Sequence, residues 1–310
     1  MTMDQEKKIT VVHCWTAPRS RSTALLYSFE ARGKNCVAID EPLKREWLIS
    51  KGNQVQRPYQ INMIEGVPPN DRPEEELLWK RETLSLGERI HAAAQKLMAN
   101  DKANDTDNED PPLIFIKHMS KTHFLYDFEN DVHVESIPGV HFVHKHMFLI
   151  RDPVAILRSW DVLSGVHHES CSTEDVGIVP LVSIYTALRL RLGLEVPVTI
   201  MDSDKLVADP PGVLLAVCKE LGVPYKPSMM TWKAGPHQCD SRHAPWWYVN
   251  ALASTGWKIP DPNAPNKKET PVKPLNQKLL PALKDSFPAY EILLRCCAAR
   301  GESANHSMEN

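Results

Sequence analysis

The sequence predicts a doubly wound α/β fold in which a parallel sheet of about five strands is flanked by helices. Two observations support this prediction. Five short apolar runs are continuous rather than alternating, which is typical of strands buried on both faces. Segments with helical spacing lie between them, as expected when helices connect parallel strands. The apolar runs cover residues 9–15, 36–39, 113–117, 147–150 and 196–201. The helical segments cover residues 22–32, 153–163, 173–192 and 205–221.

We assign residues 1–310 to a single domain with three additions to its core. The core covers about residues 9–221. A variable insertion over about residues 50–112 interrupts it, and an irregular cap segment rich in Trp and Pro follows over about 222–275. Residues 281–300 have the pattern of a C-terminal helix.

Composition excludes several classes of protein. A net charge of −3 over 310 residues gives no general affinity for nucleic acid or an acidic membrane. No apolar run approaches the roughly 20 residues that cross a bilayer, and residues 1–9 lack the apolar core of a secretory signal. The seven cysteines are scattered without a C-x-x-C motif, which favours reduced thiols. We therefore expect a cytoplasmic protein.

The loop between the first strand and the first helix has the composition of an anion site. The backbone N–H groups and the positive end of the helix dipole favour a phosphate or sulfate there. Arginine side chains bind two anion oxygens at once, and hydroxyl groups add donors. The residues of this loop are Pro18, Arg19, Ser20, Arg21, Ser22 and Thr23. The alternative is a solvated turn in which Ser22 is only a helix cap.

This loop is not a Walker A motif, because no glycine lies between Ile9 and Gly33 and no Gly-Lys-Ser/Thr sequence is present. A nucleotide kinase or triphosphatase is therefore disfavoured. A second motif strengthens the anion site. Arg151 follows the fourth strand, at the sheet edge where open α/β sheets bind ligands. Ser159 follows eight residues later on the next helix, so both side chains can reach one phosphate.

The two motifs together resemble sulfotransferases that use 3′-phosphoadenosine 5′-phosphosulfate (PAPS). The P-R-S-R-S-T loop resembles their 5′-phosphosulfate loop, and R-D-P-x-x-x-x-x-S resembles their 3′-phosphate motif. Residues 201–210 resemble the family's later strand and helix start, so the likeness spans about residues 10–220 in family order. The Trp-rich residues 232–248 resemble a branch of plant and microbial sulfotransferase-like proteins.

The resemblance implies that residues 18–23 hold the 5′-phosphosulfate and that Arg151 with Ser159 holds the 3′-phosphate. It also implies a basic late segment that closes over the nucleotide, for which the sequence offers Lys233, His237, Arg242 and His243, and of these we select Lys233. PAPS would be the co-substrate and 3′,5′-bisphosphoadenosine (PAP) the product. Cationic side chains can stabilise this transfer, and the histidines lack metal-ligand spacing. We therefore expect no metal.

A base must take the proton of the acceptor, and two candidates end strands at the carboxyl edge of the sheet. Glu41 follows the second strand, in an E-P-L sequence that resembles the glutamate base of carbohydrate sulfotransferases. His118 ends the third strand, where phenol and steroid sulfotransferases carry histidine two residues after a lysine. Here it follows Lys117 directly. We favour Glu41 and expect Lys117 to stabilise the bridging oxygen of the leaving group.

The sequence leaves two other functions open. One is another P-loop transferase such as a small-molecule kinase, and the other is a non-catalytic relative that binds a nucleotide. For the sulfotransferase we expect a small-molecule acceptor with a hydroxyl or amine and no nucleic-acid or membrane partner. A homodimer is left open.

Overall fold

The core of the fold is a five-stranded sheet, as a computed structural model shows for residues 6–52, 80–102, 110–128, 136–163, 172–193, 198–259 and 274–306. The strands are β1 (Lys7–Thr16), β2 (Cys36–Asp40), β3 (Leu113–Met119), β4 (Val140–Ile150) and β5 (Thr199–Asp202). Their spatial order is β2-β3-β1-β4-β5, and every neighbouring pair is parallel. The predicted parallel α/β sheet flanked by helices is confirmed.

Helices connect and cover these strands. The α-helices are α1 (Ser22–Glu30), α2 (Lys44–Lys51), α3 (Leu86–Lys102), α4 (Pro153–Leu163), α5 (Thr173–Val176), α6 (Ile178–Leu192), α7 (Ser203–Ala208), α8 (Pro210–Leu221), α9 (Ala244–Trp247), α10 (Val249–Leu252) and α11 (Leu280–His306). Short 3₁₀ turns cover Ser120–Leu125, Pro227–Met230 and Gln277–Leu279.

The sheet has an apolar core on each face, because successive strand side chains point to opposite sides. On one face Phe115 stacks on Phe29 of α1 with ring centroids 3.9 Å apart, and α8 packs against the same cluster. On the other face Trp15 and Ile116 belong to the core that α4, α6 and α11 cover. Both faces are thus buried, which explains the continuous apolar runs.

Three predicted elements differ most clearly from the observed ones. The predicted helix over 173–192 is divided at Gly177, whose φ of 76° ends α5. The predicted helix over 205–221 is divided between α7 and α8, because Asp209 caps α8 and Pro210 is its first residue. β4 starts seven residues before the predicted 147, since its polar first half also pairs with β1.

Parts of two predicted segments cannot be compared. Residues 53–79 and 103–109 of the insertion, and 260–273 of the cap, lie outside the described residues. Among the described helices, none is long and apolar enough to cross a membrane.

Candidate active site

A cavity of about 400 Å³ lies at the carboxyl edge of the sheet. Four of its wall residues come from the ends of four strands. Arg19 follows β1, Glu41 follows β2, Lys117 lies near the end of β3, and Arg151 follows β4. Parts of residues 243–257 close the remaining side. The parallel sheet thus brings together residues that are far apart in sequence, at the edge where such sheets bind ligands.

The wall of this cavity is strongly cationic. Among the described wall residues the only carboxylate is that of Glu41. The Lys and Arg residues of the wall are Arg19, Arg21, Lys44, Lys117, Lys121 and Arg151. So large an excess of positive charge in a concave site attracts an anionic ligand.

The loop after β1 has a strained backbone. Arg19 and Arg21 have φ values of 60° and 66°, in the left-handed region that costs a non-glycine residue roughly 1–2 kcal/mol. α1 then begins at Ser22 without a side-chain cap among the described residues. Its first N–H groups therefore remain for a ligand, and Ser22 and Thr23 line the cavity. A helix N-terminus of this kind is suited to bind an anion.

The structure joins the loop to the second predicted motif. Arg19 Nε donates to Ser159 Oγ at 3.1 Å, and Arg151 Nη1 donates to the carbonyl oxygen of Arg19 at 2.6 Å. Burial, with Arg21 and Arg19 nearby, lowers the pKa of Arg151 to about 10. Arg151 Nε is buried without a hydrogen-bond partner among the described residues. An anion at this point would relieve the repulsion and use that donor.

A buried ionic network forms the other end of the cavity. Lys117 Nζ donates to Asp40 Oδ1 at 2.8 Å and to Tyr248 Oη at 2.7 Å, and lies 2.9 Å from Glu41 Oε1. Burial would lower the pKa of Lys117, but Asp40 and Glu41 outweigh it and raise the pKa. The lysine is therefore charged, and its position is fixed by three oxygens.

Glu41 is ionised in this network. Burial alone would raise its pKa, but the positive charge of Lys117, the contact with His243 and the positive charge of Lys44 hold that pKa well below its ordinary value. Its backbone φ of 39° is also in the left-handed region. The carboxylate lies between Lys117 and His243.

Three predicted site residues are not part of the cavity wall that the others form. Ser20 is fully buried, and its hydroxyl donates to the carbonyl of Ala17 at 2.7 Å, so this hydroxyl is engaged in shaping the loop. His118 is fully buried among aromatic rings and stacks on Trp15 at 4.3 Å. It follows Lys117 on the strand and therefore points to the opposite face. Lys233 is exposed and lines a separate cavity.

Burial also disfavours the protonated form of His118. It lowers the pKa of the imidazole to about 3. His118 Nε2 is 3.0 Å from His13 Nδ1, and His13 Nε2 is 2.9 Å from His144 Nδ1. These rings thus contact one another directly. No cluster of three or more metal-binding side chains occurs in the part of the chain that the structure describes.

Tyr248 is absent from the sequence prediction of the site, and His243 is named there only among the basic residues of the late segment. Tyr248 contacts Lys117, Asp40 and Glu41, and His243 lies 3.3 Å from Glu41. Both come from the irregular cap segment, whose pattern predicts no element. They lie about 200 residues from β2 in the sequence, so no local pattern predicts that they lie beside it in the fold.

Comparison with known proteins identifies a family. A family model described as a sulfotransferase domain matches residues 109–284, more than half of the chain. Two Arabidopsis thaliana proteins named branched-chain-amino-acid aminotransferase-like protein 2 and 1 are 34% and 33% identical over 286 and 283 residues. The alignments cover 92% and 91% of this chain and 41% of each relative. The chain thus spans about two fifths of these relatives, whose names refer to a different activity from that of the family model.

Two solved sulfotransferase domains are also similar. The domain from the curacin biosynthetic pathway is 15% identical with a TM-score of 0.45, and the match covers 90% of this chain and 98% of that one. The domain from the Synechococcus PCC 7002 olefin synthase is 16% identical with a TM-score of 0.43, covering 92% and 97%. Both TM-scores are below 0.5, so we draw nothing from them beyond the likeness itself.

Proposed function

The chain belongs to the sulfotransferase family, and we propose that it transfers a sulfuryl group from PAPS to a hydroxyl or amine of a small-molecule acceptor. The observation that carries this proposal is the contact between the two anion motifs. Arg19 of the loop after β1 contacts Ser159 of α4, and Arg151 contacts the Arg19 carbonyl. Two anion-binding motifs joined in one cationic cavity fit a nucleotide with phosphate groups at both ends.

The donor would lie along this cavity with its two charged ends apart. We assign the 5′-phosphosulfate to residues 18–23 and the first turn of α1, where N–H groups and arginines offer donors. We assign the 3′-phosphate to Arg151 and Ser159. The buried Arg151 Nε without a described partner supports this assignment, because an anion would satisfy it.

The reacting end would hold the sulfuryl group beside the network of Lys117 and Glu41. Sulfuryl transfer is an in-line displacement in which charge develops on the bridging oxygen of the leaving PAP. Lys117 is held charged by Asp40 and Glu41 and is placed to stabilise that oxygen. Glu41 supplies the negative charge that favours removal of the acceptor's proton. The cations of the wall would perform the charge stabilisation, so the proposal includes no metal.

Transfer of radioactive sulfur tests this function directly. The purified chain would be incubated with sulfur-labelled PAPS and a library of alcohols, phenols, sugars and amines. We expect label in one acceptor class with release of an equal amount of PAP. We expect no transfer by the Lys117→Met variant. The proposal fails if no acceptor receives sulfur and the same library is phosphorylated from labelled ATP instead.

A further inference from the structure

His243 is a buried histidine at the reacting end of the cavity, just before α9. Its side chain is 2% exposed, and the residue lines the cavity with Glu41 and Lys117. Nε2 is 3.3 Å from Glu41 Oε2, 3.0 Å from Tyr248 Oη and 3.2 Å from Ser241 Oγ. Nδ1 is buried and has no hydrogen-bond partner among the described residues. The two nitrogens of this ring therefore differ in what they contact.

The neighbours of Nε2 decide which nitrogen carries the proton. The hydroxyl of Ser241 donates to the Asp40 carboxylate, so its oxygen can only accept from the histidine. Tyr248 Oη accepts from Lys117 and lies 2.8 Å from Asp40 Oδ2. Since an ionised carboxylate is a stronger acceptor than a neutral imidazole, the phenol proton goes to Asp40.

All three oxygens around Nε2 are thus acceptors for its N–H group. The neutral ring is therefore protonated on Nε2, and the lone pair lies on Nδ1. Nδ1 is therefore the ring nitrogen left to accept a proton, on a residue that lines the cavity.

We propose that His243 is the catalytic base, which takes the acceptor's proton on Nδ1 while Glu41 holds Nε2–H and stabilises the resulting imidazolium. This inference rests on the proposed sulfuryl transfer and makes the role of Glu41 indirect. In this arrangement a carboxylate orients a histidine base and stabilises its protonated form, as in the known catalytic triads.

Glu41 is poorly placed to act alone. Oε1 lies 2.9 Å from Lys117 Nζ, and Oε2 faces His243, with Lys44 Nζ 3.8 Å away. Each oxygen is therefore occupied by a positive or donating group. A carboxylate held by such charges has a weak affinity for a proton, which favours a neighbouring histidine as the acceptor of that proton.

The step balances in atoms and charge. The acceptor O–H proton moves to His243 Nδ1 while the acceptor oxygen forms a bond to sulfur. The bond between sulfur and the bridging oxygen of PAPS breaks, and its electron pair leaves with PAP beside Lys117. The imidazolium, held by Glu41, then releases its proton to water and restores the neutral ring.

The His243→Gln variant tests this proposal, because its amide can still donate to Glu41 and Tyr248 but has no basic nitrogen. With the acceptor identified by sulfur transfer, we expect kcat to fall roughly 100- to 10,000-fold while PAP affinity is unchanged. Turnover of the wild type should fall at low pH because Nδ1 then carries a proton already, and this dependence should disappear in the variant. The matched control is His141→Gln, at an exposed histidine on β4, which should leave kcat and the pH profile unchanged.

A second measurement does not depend on the acceptor or on the variant's folding. ¹⁵N NMR of the wild-type protein with PAP bound should show His243 protonated on Nε2 and unprotonated on Nδ1 at neutral pH. A ring protonated on Nδ1 would overturn the proposal, as would a His243→Gln variant that retains kcat within about tenfold of wild type. If instead wild-type protein binds no PAP and sulfates no acceptor, the proposed function itself fails.

Discussion

Gly177 offers a sharp test of how the structure supports the anion loop. Its φ of 76° favours glycine, and a Cβ atom there would overlap Cδ of Pro18 and lie 2.7 Å from Ser120 Oγ. Gly222 is a matched control, because it also has the αL conformation, with φ 63° and ψ 36°, and an added Cβ would meet only the flexible end of Lys145 at 3.3 Å. Comparing Gly177→Ala with Gly222→Ala therefore separates backbone strain from contact with the loop.

The magnitudes follow from these contacts. Strain in the left-handed region costs roughly 1–2 kcal/mol, and a stiffer unfolded chain offsets about 0.4–1 kcal/mol of it. We therefore expect Gly222→Ala to lower the free energy of unfolding by about 1 kcal/mol. Gly177→Ala adds an overpacking cost of about 1–3 kcal/mol. Because Pro18 must move, Gly177→Ala should also weaken PAP binding, whereas Gly222→Ala should not.

Urea denaturation measures the first effect, and calorimetric titration with PAP measures the second. If the two variants have equal unfolding free energies and equal PAP affinities, Gly177 does not support the loop as the structure indicates.

Three further predictions concern the charged and buried groups. Arg151→Ala should weaken PAP binding by about 1.5–3 kcal/mol, because charge-assisted hydrogen bonds are lost. The exposed control Arg158→Ala on α4 should not weaken it, and equal losses by titration would contradict the assignment. Lys117→Met should cost about 3–5 kcal/mol in urea denaturation, since it removes the cation that two buried carboxylates share. A cost below about 1 kcal/mol would count against this network. Burial lowers the pKa of His118 to about 3 and that of His13 below its usual range. Both rings stay neutral in the folded protein, but below about pH 6.5 they are protonated in the unfolded chain. The free energy of unfolding should therefore fall below that pH, by about 2 kcal/mol at pH 5 for His118 alone, and a melting temperature that is constant from pH 7.5 to 5 would refute this.

The sheet and the anion loop could be predicted because their signals are local. Continuous apolar runs mark strands that are buried on both faces, and the position of Arg151 after β4 follows from strand direction alone. The strand period also predicts that Lys117 and His118 cannot both face the cavity. Consecutive strand residues face opposite sides, so only one of them can reach the cavity from β3.

The remaining half of the site has no local signal. Asp40 and Tyr248 are hydrogen-bonded although they are 208 residues apart, and the segment that carries Tyr248 and His243 has no helical or strand period. Composition indicated a basic segment there but not which residue enters the cavity. Lys233 lies in a separate cavity, while His243, ten positions later, lines the reacting end.

Ligand-dependent melting tests the central claim, that this cavity binds a nucleotide with separate 3′- and 5′-anions. PAP at about one hundred times its dissociation constant should stabilise the protein by about 2.7 kcal/mol, which appears as a higher melting temperature. ATP with Mg²⁺ at the same concentration should raise that temperature much less, because it lacks the 3′-phosphate assigned to Arg151 and Ser159. A larger increase with ATP and Mg²⁺ than with PAP would contradict the account.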